Sequence, residues 1–151
     1  MIDILDDFPH SIQQDPVFGD MLTECLNLVA KCHEYTISKM PAMTFSHIKV
    51  RLELGDSLES EINQKVSQLQ IARHIRERKF RLHYKTEVEN SIDDHGKSKY
   101  FCESCVEGTP LIADHRLVLN CMTTLATALD KYSWLIKNIK DRTKDMFEKT
   151  K

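Results

Sequence analysis

Residues 118–139, VLNCMTTLATALDKYSWLIKNI, decide the fold. Val118, Met122, Leu125, Leu129, Tyr132, Ile136 and Ile139 follow one another at alternating spacings of four and three, and Met146 continues the register after Thr143. That spacing holds apolar side chains on one stripe of an α-helix, and more than three heptads of it predict a coiled-coil-like seam. A helix over about 112–147 would be roughly 50 Å long. A single narrow stripe on so long a helix is hard to cover in a compact monomer. The seven seam residues are therefore the expected oligomerisation surface.

The same logic extends toward the N-terminus. Asp15-Pro16 combines a preferred N-cap with a preferred first helical residue. Phe18, Leu22, Cys25, Val29 and Cys32 then repeat the four–three spacing, and Pro41 ends that helix by about Met40. Residues 1–14 read as an acidic lead-in. Over 47–54 the pattern changes: Ile48, Val50, Leu52 and Leu54 alternate with polar residues. This is the period of a half-buried strand, so a short extended segment stands beside helix as a reading there. Gly55 breaks the element. Asp56-Ser57-Leu58-Glu59 resembles a capping box. No Pro or Gly follows until past Glu89, which predicts a second long helix with Leu58, Ile62, Val66 and Leu69 as its stripe. Residues 90–109 hold Gly96, Gly108 and the Cys102/Cys105 pair and read as the main loop. Thr109-Pro110 then offers another cap-plus-proline start, and Asp114 a second possible cap. The expected architecture is all-α: long antiparallel helices in a coiled-coil-like bundle, one domain over 1–151, self-associating. A chain of 151 residues fits one domain.

The charges are not evenly mixed. The total is −2, from 21 basic and 23 acidic side chains. Residues 1–30 hold Asp3, Asp6, Asp7, Asp15, Asp20 and Glu24 and no Lys or Arg, whereas 71–85 hold six bases against Glu77 alone. Residues 131–151 are basic as well. The basic run 73–85 interleaves Arg73, Arg76, Arg78, Lys79, Arg81 and Lys85 with Phe80, Tyr84 and two histidines. Single-strand binders combine such a cationic track for phosphates with aromatic platforms for bases. The candidate nucleic-acid-binding set is Arg73, Arg76, Arg78, Lys79, Arg81, Tyr84 and Lys85. A solvated helix face, or a surface for an acidic protein, accounts for the same composition.

Other chemistries are poorly served. There is no phosphate-binding glycine loop, no GxGxxG, no HExxH and no GxSxG. Cys32 and His33 are neighbours, which on a helix point about 100° apart. No enzyme and no cofactor is expected. Cys102-x-x-Cys105 is half a zinc site, and His95 and His115 are weak candidates to complete it, with Cys121 as another. The five cysteines read as reduced thiols of a cytoplasmic protein. The N-terminal Met1-Ile2-Asp3-Ile4-Leu5-Asp6-Asp7 lacks the basic start of a secretory signal, and no apolar run is long enough to span a bilayer.

One stretch resembles a known family. Lys79-Phe80-Arg81-Leu82-His83-Tyr84 is similar to the Lys-x-Arg-Leu-x-Tyr stretch of phage recombination mediator proteins of the UvsY family. Ala113, Asp114, Val118 and Leu119 resemble the opening of that family's long helix, Ile139-Lys140-x-Arg142 its end, and Asp15-Pro16-Val17-Phe18 the start of its first helix. The resemblance implies a small, helical, ring-forming protein without catalytic activity. It implies that Lys79 and Arg81 contribute to binding single-stranded DNA. The implied partners are single-stranded DNA, a recombinase and a single-strand-binding protein, in the host cell cytoplasm if the chain is phage-encoded. The competing expectation is a helical adaptor or chaperone that binds only proteins, with Cys102/Cys105 as a zinc loop.

Overall fold

The computed structural model describes residues 18–38, 44–96 and 98–150, and the described residues form four helices and no strand. We name them α1 (Gly19–Ile37), α2 (Phe45–His95), α3 (Lys99–Glu107) and α4 (Pro110–Thr150). Two compact units result. Among the described residues unit 1 takes in 18–68 and 124–150, and unit 2 takes in 69–123. The long helices α2 and α4 each contribute one part to each unit, where length alone suggests one domain. Among the described residues no helix is long and apolar enough to cross a membrane.

Unit 1 joins α1 to the first part of α2 and the second part of α4. Glu24 pairs with Lys65, Lys31 lies 3.9 Å from Glu61, and the Tyr35 hydroxyl donates to the Arg51 carbonyl at 3.2 Å. Rising numbers on α1 thus meet falling numbers on α2, so the two run antiparallel. Phe45 against Phe147 and Glu59 against Lys140 show the same order for α2 and α4. Leu22, Cys25, Val29 and Cys32 are buried, as their spacing predicts, together with Leu28 and Tyr35. Each fully buried aliphatic side chain stabilises by about 1.5–3 kcal/mol relative to exposure.

The 118–139 seam lies inside the chain. Val118, Met122, Leu125, Leu129 and Ile136 are buried, Tyr132 and Ile139 are half-buried, and only Met146 is exposed. In unit 1 this stripe has its partners in the same chain, with the Tyr132 hydroxyl 3.2 Å from Nδ1 of His33. The assignment of these residues to an oligomer surface is corrected accordingly. Periodicity identifies the face that is covered and leaves its cover unnamed.

Three local readings are decided, the first of them for one of its two alternatives. The 47–54 segment is helix, and Gly55 continues it. Ile48, Gly55, Leu58 and Ile62 are buried and Leu52 is half-buried, at spacings of four, three, three and four, while Val50 and Leu54 face solvent. The alternation is the accident of two exposed residues within a helical register. Gly55 is there for close approach: a Cβ would sit 2.8 Å from Cγ and Cδ of Lys140 and 2.8 Å from the Tyr35 hydroxyl. Asp56 and Glu59 lie inside α2, where both carboxylates hold the Lys140 ammonium, and Glu59 does so at 3.1 Å. Burial opposes the Lys140 charge, but hydrogen bonds and charge from these two carboxylates outweigh it and raise its pKa.

The 90–109 loop is mostly helix. α2 runs on to His95 and closes at Gly96, whose φ of 59° is left-handed and whose N–H donates to the Ile92 carbonyl at 2.9 Å. Ser98 then caps α3, its Oγ accepting from the Phe101 N–H at 3.3 Å. Pro110 opens α4, as predicted, and Asp114 lies within it. The α1 start signal at Asp15-Pro16 and the stop at Pro41 lie outside the described residues; the helix itself ends at Ile37, and Ser38 donates its N–H to the Glu34 carbonyl.

Candidate nucleic-acid interface

The basic run lies wholly in unit 2, on the second part of α2. At 100° per residue, positions seven apart fall about 20° apart and form ridges along the helix. Phe80, Tyr84 and Val88 turn inward. Val88 joins Cys102, Val106 and Ile112 in the small core of unit 2, and Phe80, Tyr84 and Ile92 pack against it. Phe80 also lies 5.9 Å from the Tyr84 ring and 5.9 Å from His115, with the Arg116 guanidinium 5.3 Å above it. Arg116 is in turn held by Glu107 at 2.9 Å. Burial, and then the Glu107 and Glu103 carboxylates, push the Tyr84 phenol above its usual pKa. It borders a cavity of about 360 Å³ lined also by Val88, Ile92 and Glu103. The two aromatics that composition offers as stacking platforms are therefore packing residues of unit 2.

The cations divide differently. Arg73, Arg78, Lys79, Arg81 and Lys85 are exposed, and Arg76 is half-buried. Arg81 is tied to Glu77 four residues earlier at 2.9 Å. Among the described residues Arg73, Arg78, Lys79 and Lys85 hold no carboxylate partner. Arg78 and Lys85 share one ridge, and His74 and Arg81 share the next. The structure thus brings five of the seven predicted residues to the surface of one helical segment and turns Arg76 and Tyr84 toward its packed side.

Sequence reading missed three residues of this face. Ile71, Ile75 and Leu82 are 62%, 51% and 69% exposed. Ile71 lies on the Arg78–Lys85 ridge, and Ile75 and Leu82 form the ridge beside it. The signal was present in the way the apolar stripe blurs after Ala72. Two stripes on opposite sides of one helix are superposed there, and only one is core.

The remaining candidates separate. Cys102 is fully buried in the unit 2 core, whereas Cys105, three residues later on α3, is exposed. His115 lies between Phe80 and His83, its ring 6.0 Å from the His83 ring. The His95 side chain is outside the described residues. Among the described residues no three His, Cys, Asp or Glu side chains converge in a manner that could hold a metal ion. No protein-family model matches the chain, and no curated protein or solved structure is significantly similar to it.

Proposed function

We propose that the chain is a binding protein without catalytic activity that grips single-stranded DNA along the exposed cations of the 73–85 segment of α2. In this reading it acts as a recombination mediator, helping a recombinase onto DNA already covered by a single-strand-binding protein. The observation that carries it is the set of exposed cations, Arg73, Arg78, Lys79 and Lys85, held by no carboxylate in the described chain. An unpaired cation on a helix has its full charge available for a phosphate, and binding releases the counterions of both partners. The resemblance at Lys79–Tyr84 supplies the mediator role. With Phe80 and Tyr84 turned inward, recognition rests on phosphates and is independent of base identity.

A salt titration with a labelled oligonucleotide tests it. About four phosphate contacts give a slope near −3 in log affinity against log salt for single strands. The Lys79→Ala/Arg81→Ala double variant should bind about tenfold more weakly at low salt and lose roughly one unit of that slope. Equal affinity of variant and wild type at low salt would remove the site assignment. A second reading, an adaptor that docks an acidic protein segment, is favoured by the exposed Ile71, Ile75 and Leu82, which phosphates do not require.

A further inference from the structure

The apolar line on the outer face of α2 is what the DNA reading leaves unused. Isolated exposed Ile or Leu residues are ordinary. Here Ile71, Ile75 and Leu82 stand within twelve residues on one side of a helix, between Arg78, Lys79 and Lys85, and each is at least half exposed. An apolar patch rimmed by charge marks a surface that something covers. A phosphate backbone answers the cations and leaves the aliphatic groups in water. The fitting occupant carries carboxylates and aliphatic side chains together.

The chain contains such a segment. Ile2-Asp3-Ile4-Leu5-Asp6-Asp7-Phe8 carries three carboxylates and four apolar side chains, and no Lys or Arg occurs before Lys31. Ile71 to Leu82 spans about 16 Å of helix. An extended run from Ile2 to Phe8 reaches about 20 Å, enough to lie along the whole line. We infer that the exposed Ile71–Lys85 face of α2 docks the acidic segment 2–8 of a second copy of this chain, and that this docking competes with single-stranded DNA for the same cations. The competition rests on the DNA reading; the docking rests on the apolar line and the charge complementarity alone. Each copy both offers a segment and accepts one, so the contact is heterologous and repeats from copy to copy.

The test uses the full chain and two variants. Asp3→Asn/Asp6→Asn/Asp7→Asn removes the charges of the segment. Ile75→Ser/Leu82→Ser removes the apolar line and keeps every cation. Circular dichroism checks that both are as helical as wild type. Sedimentation over micromolar to sub-millimolar concentration at low salt should show wild type associating and both variants monomeric. A fluorescent peptide of residues 1–12 should bind wild type and bind the Ser variant about tenfold or more weakly, since two buried aliphatic contacts are lost. Oligonucleotide affinity should rise about threefold or more in both variants, because each releases the docked segment and leaves every cation of the face in place. Association of either variant as strong as wild type overturns the proposal, and so does equal peptide binding by the Ser variant. Wild type that stays monomeric while the Asn variant gains DNA affinity assigns the segment to its own chain, which also overturns docking between copies. If no protein binds the oligonucleotide at low salt, the DNA reading falls, and sedimentation and peptide binding still decide the docking.

Discussion

Lys140 in unit 1 and Lys79 in unit 2 are both lysines in the middle of long helices, and they have opposite fates. Lys140 is 8% exposed, seated against Gly55 and held by Asp56 and Glu59. Lys79 is exposed and holds no partner among the described residues. Both belong to stretches that composition marks as basic. The difference teaches that a positive run is two kinds of charge: one kind stays inside to position helices, and the other stands in solvent. Within 131–151 the most buried cation is structural; within 73–85 four are exposed and hold no carboxylate among the described residues.

The largest effect that would break this contrast is alkaline. Cys25 and Cys32 are fully buried in unit 1, and burial pushes each thiol from an ordinary 9.0 up to about 11, with the Glu24 and Glu61 carboxylates assisting and Lys65 and Lys31 opposing. Burial raises Tyr35 too, and the two carboxylates raise Lys140. For all four groups the folded state holds its proton more tightly than the unfolded state, so their stabilisation is present below the unfolded pKa and is lost as pH rises toward the folded value. Each thiol contributes up to about 2–3 kcal/mol to that loss. Urea unfolding between pH 8 and pH 11 should show stability falling steadily, and Cys25→Ala/Cys32→Ala should flatten the profile while lowering stability at pH 8. A flat wild-type profile would remove the buried chemistry of unit 1.

Next in size is the contact that lets α4 approach α2. Gly55→Val places a Cβ 2.8 Å from Lys140 and from the Tyr35 hydroxyl and adds two methyl groups to it. Neither can move cheaply, since Lys140 is pinned by two carboxylates and Tyr35 donates to Arg51. The expected cost is about 1–3 kcal/mol. For a chain of this length that lowers Tm by roughly 2–4 °C per kcal/mol. Gly55→Ala should cost less, because about 1 kcal/mol of helix propensity offsets part of the clash. A Gly55→Val variant as stable as wild type would show that the close approach does not hold in solution.

The helices are legible in the sequence because apolar spacing near 3.6 survives any change of partner; 118–139 and Leu22–Cys32 are buried as their patterns demand. What covers a stripe is not legible. The residues facing 124–143 come from positions 19–68, and no spacing rule connects stretches so far apart. Gly55 shows the same limit: its neighbour Lys140 is eighty-five positions away, so a packing glycine reads locally as a break. At 90–109 two glycines and a polar composition conceal a nine-residue helix whose start depends on one serine cap. The site was half legible. Charge density located the exposed cations correctly, yet the interleaved aromatics suggested stacking, because a linear pattern does not say that Phe80 and Tyr84 share the face of Val88. The apolar line Ile71–Leu82 was hidden for the same reason.

The smallest effects sharpen the contrast most directly, because they replace one lysine at a time. Lys140→Met keeps the aliphatic stem and removes the ammonium. It leaves Glu59 without its partner and Asp56 facing solvent, so the cost is moderated by the exposure of Asp56 and comes to about 1–2 kcal/mol, below that of breaking a fully buried pair. Lys79→Met removes an equal charge from a site with no partner to strand. Arg78 beside it and Arg76 three residues earlier are also positive, so the loss of one repulsive charge offsets any loss of solvation, and stability should stay within about 0.5 kcal/mol of wild type. Thermal melts of the two variants at neutral pH and low salt give the comparison, and the same samples titrated with oligonucleotide give its complement. Lys79→Met should weaken binding about threefold to tenfold and lower the salt slope by about one. Lys140→Met should leave both unchanged once the protein is folded. If the stability losses were reversed, Lys79 would be the structural lysine, and the division between an inward and an outward charge would not describe this protein.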